Sequence, residues 1–555
     1  MESSKATLES VLNSRVVIPR WKPPTQAIER DSFDKEQLVR RAELGGQWVR
    51  YLESTFEQFP SRSTANELYE TAFMYGRTEG LPSEVLKLLK GRQEAVDRAS
   101  SSLRQHYSSL AQPELVLGED VDVHQRGAIS EIARYRSLLA ESPGRPFCWS
   151  ELSRNYLVVG EKEKARRAML AALQLAKHNR YLCRVAARLF VHIDDQDRAL
   201  HLLRNEPTIK NDPWLLAAEI AISSYGNRKS KFIDAGLRII DSKQYAESQV
   251  SELAAAVGTV ELMHGTAKRA KSLFQTSLIS PTDNSLAQAQ WAVCQEAKIV
   301  IPDSAWLIPE SFEARTLASR HDHDWNNALQ TCAKWLADEP FSVRPAMLGS
   351  YLAFRPEHTG MAEQFASAGL RCDNANSMLL NNRAVARVYQ GKIDEAYEDI
   401  ELALQDTGAR DDAHLLATLG LIAFRSGRPD LGRDLYGQSV GWFSHRKERA
   451  SVASALLYWL REEVRVDRSI IPKAIDMAQR ISKMSAASKQ PELRGMADLL
   501  LEEAKAAGNS TGVHQEEIVS EHLTQFALFH SASLFHVPDK AKQIAARLVA
   551  EDDLV

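Results

Sequence analysis

The chain has 555 residues, well beyond the roughly 250–300 at which a single hydrophobic core stops growing, so it must form several domains or an elongated array. Hydrophobic residues make up 44% and charged residues 26%, with 26 glycines and 20 prolines, a balance that excludes a disordered or fibrous chain. Lys plus Arg number 69 against 73 Asp plus Glu, a net charge of -4, so no global positive field gathers phosphates and nucleic acid is disfavoured as a partner.

In chain order, the opening MESSKATLESVLNSR lacks the basic flank and apolar core of a secretory signal. No stretch approaches the roughly 18 apolar residues that span a bilayer, so a cytoplasmic chain without membrane contact is expected. Trp21, Lys22, Pro23 and Pro24 predict extended backbone. The rest of residues 1–110 predicts a separate helical region: Leu38, Ala42, Trp48, Val49, Leu52 and Phe56 fall near helical spacing, and Thr64 with Glu67 forms a capping box. The acidic, non-periodic run AQPELVLGEDVDVHQRG makes 109–126 a connector.

Beyond it an internal period emerges. Ala165 and Ala199 are 34 apart, and Ala328, Ala362 and Ala396 continue the same step twice. In PFCWSELSRNYLVVGEKEKARRAMLAAL, Trp149, Leu152 and Tyr156 make one apolar helical face, and Gly160 permits the left-handed turn that reverses the chain. Ala165 lets a second helix approach closely, and Met169 and Ala172 extend its stripe. One such hairpin cannot bury both faces and must stack on its neighbours. Further copies carry Gly258, Gly265, Ala270, Phe274 and Ser277; Leu380, Ala384, Gly391, Ala396, Ile400 and Ala403; and Leu416, Leu419, Gly420, Gly427, Gly432 and Tyr436.

This 34-residue pattern resembles the tetratricopeptide repeat family over roughly residues 143–446. The resemblance implies an all-α fold, an α-solenoid of stacked antiparallel helix hairpins with helical N- and C-terminal extensions. The step from Ala270 to Ala328 is 58, not a multiple of 34, and VIPDSAWLIPES lies inside it. Two solenoid blocks are therefore expected, at 127–300 and 309–446, with a helical region at 447–555 that carries Val452, Ala455, Leu456 and Trp459 and an interruption at 506–514. Such helices can cap a solenoid's open end.

Candidate chemistry is sparse, and no catalytic, cofactor-binding or metal-binding residue is assigned. Cys148, Cys183, Cys294, Cys332 and Cys372 are scattered, odd in number and without a CxxC pair, so packed thiols are expected. Gly437, Ser439 and Gly441 spell G-x-S-x-G, but that nucleophile needs a strand before it, and here a repeat helix precedes it. His321, Asp322, His323 and Asp324 concentrate metal-capable groups where a repeat turn should fall, with no second cluster to complete a metal site. Arg315 and His321 have the Arg-x5-His spacing that resembles helical ribonucleases of the HEPN group, which implies an alternative reading as an RNA-cleaving enzyme. His522, His530 and His536 lie among Leu, Phe and Ala and are expected to pack.

In tetratricopeptide arrays the first helix of each hairpin lines the inner curve. Carried onto this chain, the register exposes Arg154, Tyr181, Arg184 and Arg188 in the first block, a basic and partly aromatic strip suited to an acidic protein or peptide. In the second block it exposes Arg344, Met347, Tyr351, Phe354 and Asn381. Of the family's clamp for C-terminal carboxylates only Asn382 is matched, since Met347, Tyr351, His414 and Thr418 stand at other clamp positions. The sequence thus predicts a non-catalytic interaction scaffold or regulatory subunit needing no cofactor, with the helical ribonuclease or an RNA-binding helical array as alternatives.

Overall fold

A computed structural model describes residues 15–22, 49–60, short stretches between 64 and 89, and 122–509 apart from 243, 296, 354, 406–411 and 485–489. Early in the chain Val49, Leu52 and Phe56 share a small core with Ala65, Leu68, Tyr69, Ala72 and Val85, beside helix α1 (Ser83–Leu89). Leu38, Ala42, Trp48 and Glu67 lie outside the described residues, as do 109–121 of the expected connector and His522, His530 and His536. Where the connector was expected to continue to 126, a helix instead begins at Asp122.

Among the described residues there are no strands. The helices are α2 (Asp122–Glu141), α3 (Pro146–Val158), α4 (Lys162–Leu175), α5 (Arg180–His192), α6 (Gln196–Arg204), α7 (Pro213–Tyr225), α8 (Ile233–Ser242), α9 (Glu247–His264), α10 (Ala267–Ser277) and α11 (Asp283–Cys294). They continue with α12 (Phe312–His321), α13 (Trp325–Asp338), α14 (Val343–Leu352), α15 (Thr359–Cys372), α16 (Ser377–Tyr389), α17 (Ile393–Gln405), α18 (Ala413–Arg425), α19 (Pro429–His445), α20 (Arg449–Val466), α21 (Ile471–Ser482) and α22 (Pro491–Asn509). The last of these carries helix through 506–509, the first part of the expected interruption.

Two compact units are formed, one from 15–317 with 334–342 and the other from 318–333 with 343–509. The stretch expected as a joint, 301–308, is a loop holding one 3-10 turn, Asp303–Leu307, and the division of the units follows at Leu317. Each unit is a stack of antiparallel helix hairpins. In the first unit α3 packs on α4, α5 on α6 and α9 on α10, and the leading helices neighbour one another in the series α5, α7, α9, α11. In the second, α14 packs on α15, α16 on α17 and α18 on α19, with α14, α16, α18 and α20 in series.

The period has a physical cause at two points, the first in every one of these returning helices and the second in most reversals, although Gly265 between α9 and α10 has φ -119°. Ala165, Ala199, Ala270, Ala328, Ala362 and Ala396 are each the fourth residue of their helix, and all are buried. One turn into a returning helix a methyl group is the largest side chain that close approach allows. Gly432 holds the same place in α19, where an added Cβ would come within 2.4 Å of Phe424. The second point is the reversal. Gly160, Asp194, Asn227, His323, Gly391, Gly427 and Lys447 all have left-handed φ, between 51° and 79°. At each the same two bonds close the helix, as when the Gly160 N–H donates to Leu157 O and the Glu161 N–H to Tyr156 O. This is the Schellman arrangement, which satisfies carbonyls that the helix end leaves open. His321 to Asp324 therefore form a repeat turn, with His323 in the glycine position.

Candidate peptide site in the first unit

Residues 15–22 read RVVIPRWK and form neither helix nor strand. Pro19 steers Ile18 away from helical backbone, and the branched residues before it favour extension. Yet Arg15, Val17, Trp21 and Lys22 are each no more than 2% exposed. An extended segment this deep must satisfy its backbone without a ladder. The side chains of surrounding helices do so: Gln288 Nε2 donates to Arg15 O at 2.7 Å, Asn284 Nδ2 to Ile18 O at 2.9 Å, and the Tyr181 hydroxyl to Lys22 O at 2.8 Å.

The side chains of the segment meet carboxylates. The Arg15 guanidinium places Nε and Nη2 on the two oxygens of Glu313, each at 2.9 Å, and also donates to Gln288 and Asn284. This planar two-point grip is one that lysine cannot reproduce. Arg20 bridges Glu313 and Glu339, with Asp283 at 3.8 Å. Lys22 Nζ lies 2.7 Å from Asp338, 3.2 Å from Glu310 and 3.5 Å from Asp283. Trp21 packs its ring against Phe341 at 5.5 Å.

Helix ends place these acids. Asp283 and Glu313 stand in the first turns of α11 and α12, where the helix dipole favours negative charge. Asp338 closes α13 and Glu339 follows it, where the dipole disfavours a carboxylate, so both depend on nearby cations. Burial would lift the Glu339 carboxyl, but Arg20 and Arg188 outweigh it and hold it below the ordinary glutamate range. Burial prevails at Asp338 and raises its carboxyl despite Lys22. Burial also works against the charge on Arg20, and Glu339, Glu313 and Asp283 more than compensate, so it stays protonated.

The residues expected to face a partner are distributed as follows. Tyr181 touches the segment, and its phenol is raised well above the ordinary range by burial and by Glu151. Arg188 lies 3.7 Å from Glu339, near Ser342 and over the ring of Phe341. Arg184 pairs with Glu252 of α9, and Arg154 with Glu151 at 3.5 Å while it reaches the carbonyl of Asp338. In the second unit Met347 is buried, and Arg344 and Tyr351 are half-buried at opposite ends of α14. Asn381 accepts from the Thr418 hydroxyl at 2.7 Å, and Asn382 donates to Ser350 Oγ at 2.9 Å. Phe354 lies outside the described residues.

Sequence reasoning did not assign Arg15, Arg20, Trp21 or Lys22 to a site, nor the acids around them. A signal existed in DNSLAQAQ of α11, where Asp283, Asn284, Ser285, Gln288 and Gln290 are all buried, a polarity no packed repeat helix requires.

The remaining motifs resolve into structure. Ser439 sits inside α19, fully buried, and its hydroxyl donates to Ala413 O at 2.7 Å, as the Ser153 hydroxyl does to Ala165 O. Arg315 is held by Ser311 Oγ and Trp306 O, and His321 is exposed at the end of α12. All five cysteines are free thiols. Among the described residues no cluster of His, Cys, Asp and Glu is arranged to hold a metal ion, and no helix is long and apolar enough to cross a membrane.

No family model matches the chain, and no curated protein does. Among solved structures the crystal structure of the yeast Tom70 is similar over 70% of this chain and 95% of its own, at 12% identity and a TM-score of 0.29. A likeness at that level carries no argument about function.

Proposed function

We propose that this chain is a non-catalytic scaffold or regulatory subunit of tetratricopeptide type whose leading helices hold extended segments of other proteins. One observation carries the reading: helices of the first unit already grip eight residues of extended chain, through three backbone carbonyls and through side chains. Asn, Gln and Tyr donors aimed at a peptide backbone read any sequence, and the carboxylates add selectivity. The contact strip comprises Arg154, Tyr181, Arg184 and Arg188 in the first unit and Arg344, Tyr351, Phe354, Asn381 and Asn382 in the second. The arginines of the first strip suggest an acidic partner in the sequence, but Arg184 and Arg188 are matched by Glu252 and Glu339. Charge selection there passes to the carboxylates.

The test is recovery of the intact chain from its source after mild cross-linking, with identification of what co-elutes in fixed stoichiometry. A protein partner is expected, and Tyr351→Ala with Asn382→Ala should lower its affinity about tenfold, the equivalent of one lost hydrogen bond. Absence of any stoichiometric protein would defeat the scaffold reading. RNA cleavage lost in a folded Arg315→Ala, His321→Ala chain would replace it by the nuclease reading.

A further inference from the structure

The walls around residues 15–22 meet the cations of that segment with carboxylates. Asp283, Glu310, Glu313, Asp338 and Glu339 face Arg15, Arg20 and Lys22, and the wall contributes Arg188 as its own cation. Each of the segment's three cations meets at least one of these carboxylates, and Arg20 and Lys22 each meet three. Glu313 and Glu339 are almost completely buried, with side chains 1% and 2% exposed. A packed interior does not collect uncompensated carboxylates.

Two further observations separate a ligand site from a core. The wall supplies side-chain donors to three carbonyls spaced along the segment, those of Arg15, Ile18 and Lys22, and main-chain contacts of this kind hold an extended peptide whatever its side chains. The fit of the resident segment is also incomplete. Glu339 Oε1 accepts no hydrogen bond, with Arg188 at 3.7 Å, and the buried Trp21 Nε1 finds no acceptor. The wall therefore retains, beside Arg188, a carboxylate oxygen without a hydrogen bond.

From this we infer that the surroundings of residues 15–22 are a binding site for an extended basic-aromatic segment of a partner protein, an arginine followed five residues later by arginine, aromatic and lysine, and that Arg15 to Lys22 are its resident competitor. The inference rests on the scaffold reading and names the chemistry of one partner. The leading arginine takes the fork on Glu313, the second bridges Glu313 and Glu339, the ring enters beside Phe341, and the lysine meets Asp338 and Glu310.

The experiment uses the full chain with a protease site inserted between residues 26 and 27, purified folded and then nicked, so that residues 1–26 stay bound without a covalent tether. Two fluorescent peptides are titrated in: one with the sequence of residues 11–26, and one keeping only Arg15, Arg20, Trp21 and Lys22 on an alanine background. Both should bind, expel the resident fragment in native mass spectra, and weaken at least tenfold when Glu313→Gln and Glu339→Gln are introduced together. Added salt should weaken both. Failure of excess peptide to displace the fragment, loss of helical circular dichroism as it leaves, or binding by the native sequence alone would each make residues 15–22 a permanent strut and overturn the inference. Preference for an acidic peptide of equal length would overturn it too. A co-purified partner held equally well by uncut and nicked chains would sink this inference and leave the scaffold reading standing, whereas no partner in either would sink the scaffold reading.

Discussion

Buried polar groups of the second unit's leading helices and the buried acids of α11, α12 and α13 in the first unit are satisfied in different ways. In the second unit the helices satisfy one another: Thr418 of α18 bonds to Asn381 of α16, Asn382 of α16 to Ser350 of α14, and Arg425 of α18 pairs with Glu462 of α20. In the first unit the buried acids of α11, α12 and α13 are answered by a segment from a distant part of the sequence. The same helical hairpin thus supports two regimes. A polar group matched to its neighbour keeps its bond whether or not a partner is present, and a face left charged requires cations from elsewhere.

The largest expected effect separates these regimes directly. Replacing Arg15 and Arg20 together by Met removes both cations that this segment brings to the buried Glu313, and removing one partner of a buried pair costs about 3–5 kcal/mol. Hydrogen exchange should then show the amides of α11 and α12 deprotected while those of α16 and α18 stay as before. Equal loss in both would erase the distinction.

A smaller effect is expected within the second unit. Thr418→Val strands the buried Asn381 amide and should cost about 1–3 kcal/mol in denaturant unfolding, whereas Asn381→Leu with Thr418→Val should recover most of it. Failure to recover would mean that shape, and not pairing, governs that contact.

Acid acts on the first unit through two opposed groups. Glu339 is held below its ordinary range by Arg20 and Arg188 against burial, so its stabilisation is present above that range and is lost as pH falls through the lowered value. Asp338 is raised by burial, and its protonation relieves a penalty as pH falls through the raised value. The intact first unit should therefore lose stability only gradually in acid. Asp338→Asn removes the compensating group, and its acid unfolding curve should be steeper than that of the parent chain.

The smallest effect concerns the turns. Lys447 adopts φ 61° at a position that glycine fills at Gly160, Gly391 and Gly427. Lys447→Gly should leave the melting temperature unchanged or raise it slightly, since relief of roughly 1–2 kcal/mol of left-handed strain is offset by about 0.4–1 kcal/mol of added unfolded-chain entropy.

The repeat was legible because its constraints are local. A small residue in the first turn of a returning helix and a left-handed residue at the reversal recur at fixed distance, and alanine and glycine at those places announce both. Where the left-handed residue is Asp194 or His323 the announcement fades, although the backbone is the same. The candidate site was legible only in fragments. Tyr181 was placed by register, and the extended character of Trp21 and Lys22 by the prolines that follow. Nothing local ties Arg15 to Glu313, because their pairing depends on how many hairpins intervene and on the rotation each one adds. Charge was misleading for the same reason: Arg184 and Arg188 look unpaired in sequence, and their acids stand on other helices.

The bond from Arg15 to Glu313 spans 298 positions, which gives the segment a history during synthesis. At a ribosomal rate of about 5–20 residues per second, residues 15–22 wait on the order of 15–60 s before their acids emerge. Closing a loop of that length costs about 5 kcal/mol in chain entropy by its logarithmic term alone, so the docking contacts must all arrive together to hold. Until then a tryptophan flanked by three cations travels unaccompanied ahead of the acids that will hold it, and a chaperone that favours exposed basic-aromatic stretches would meet it in that interval.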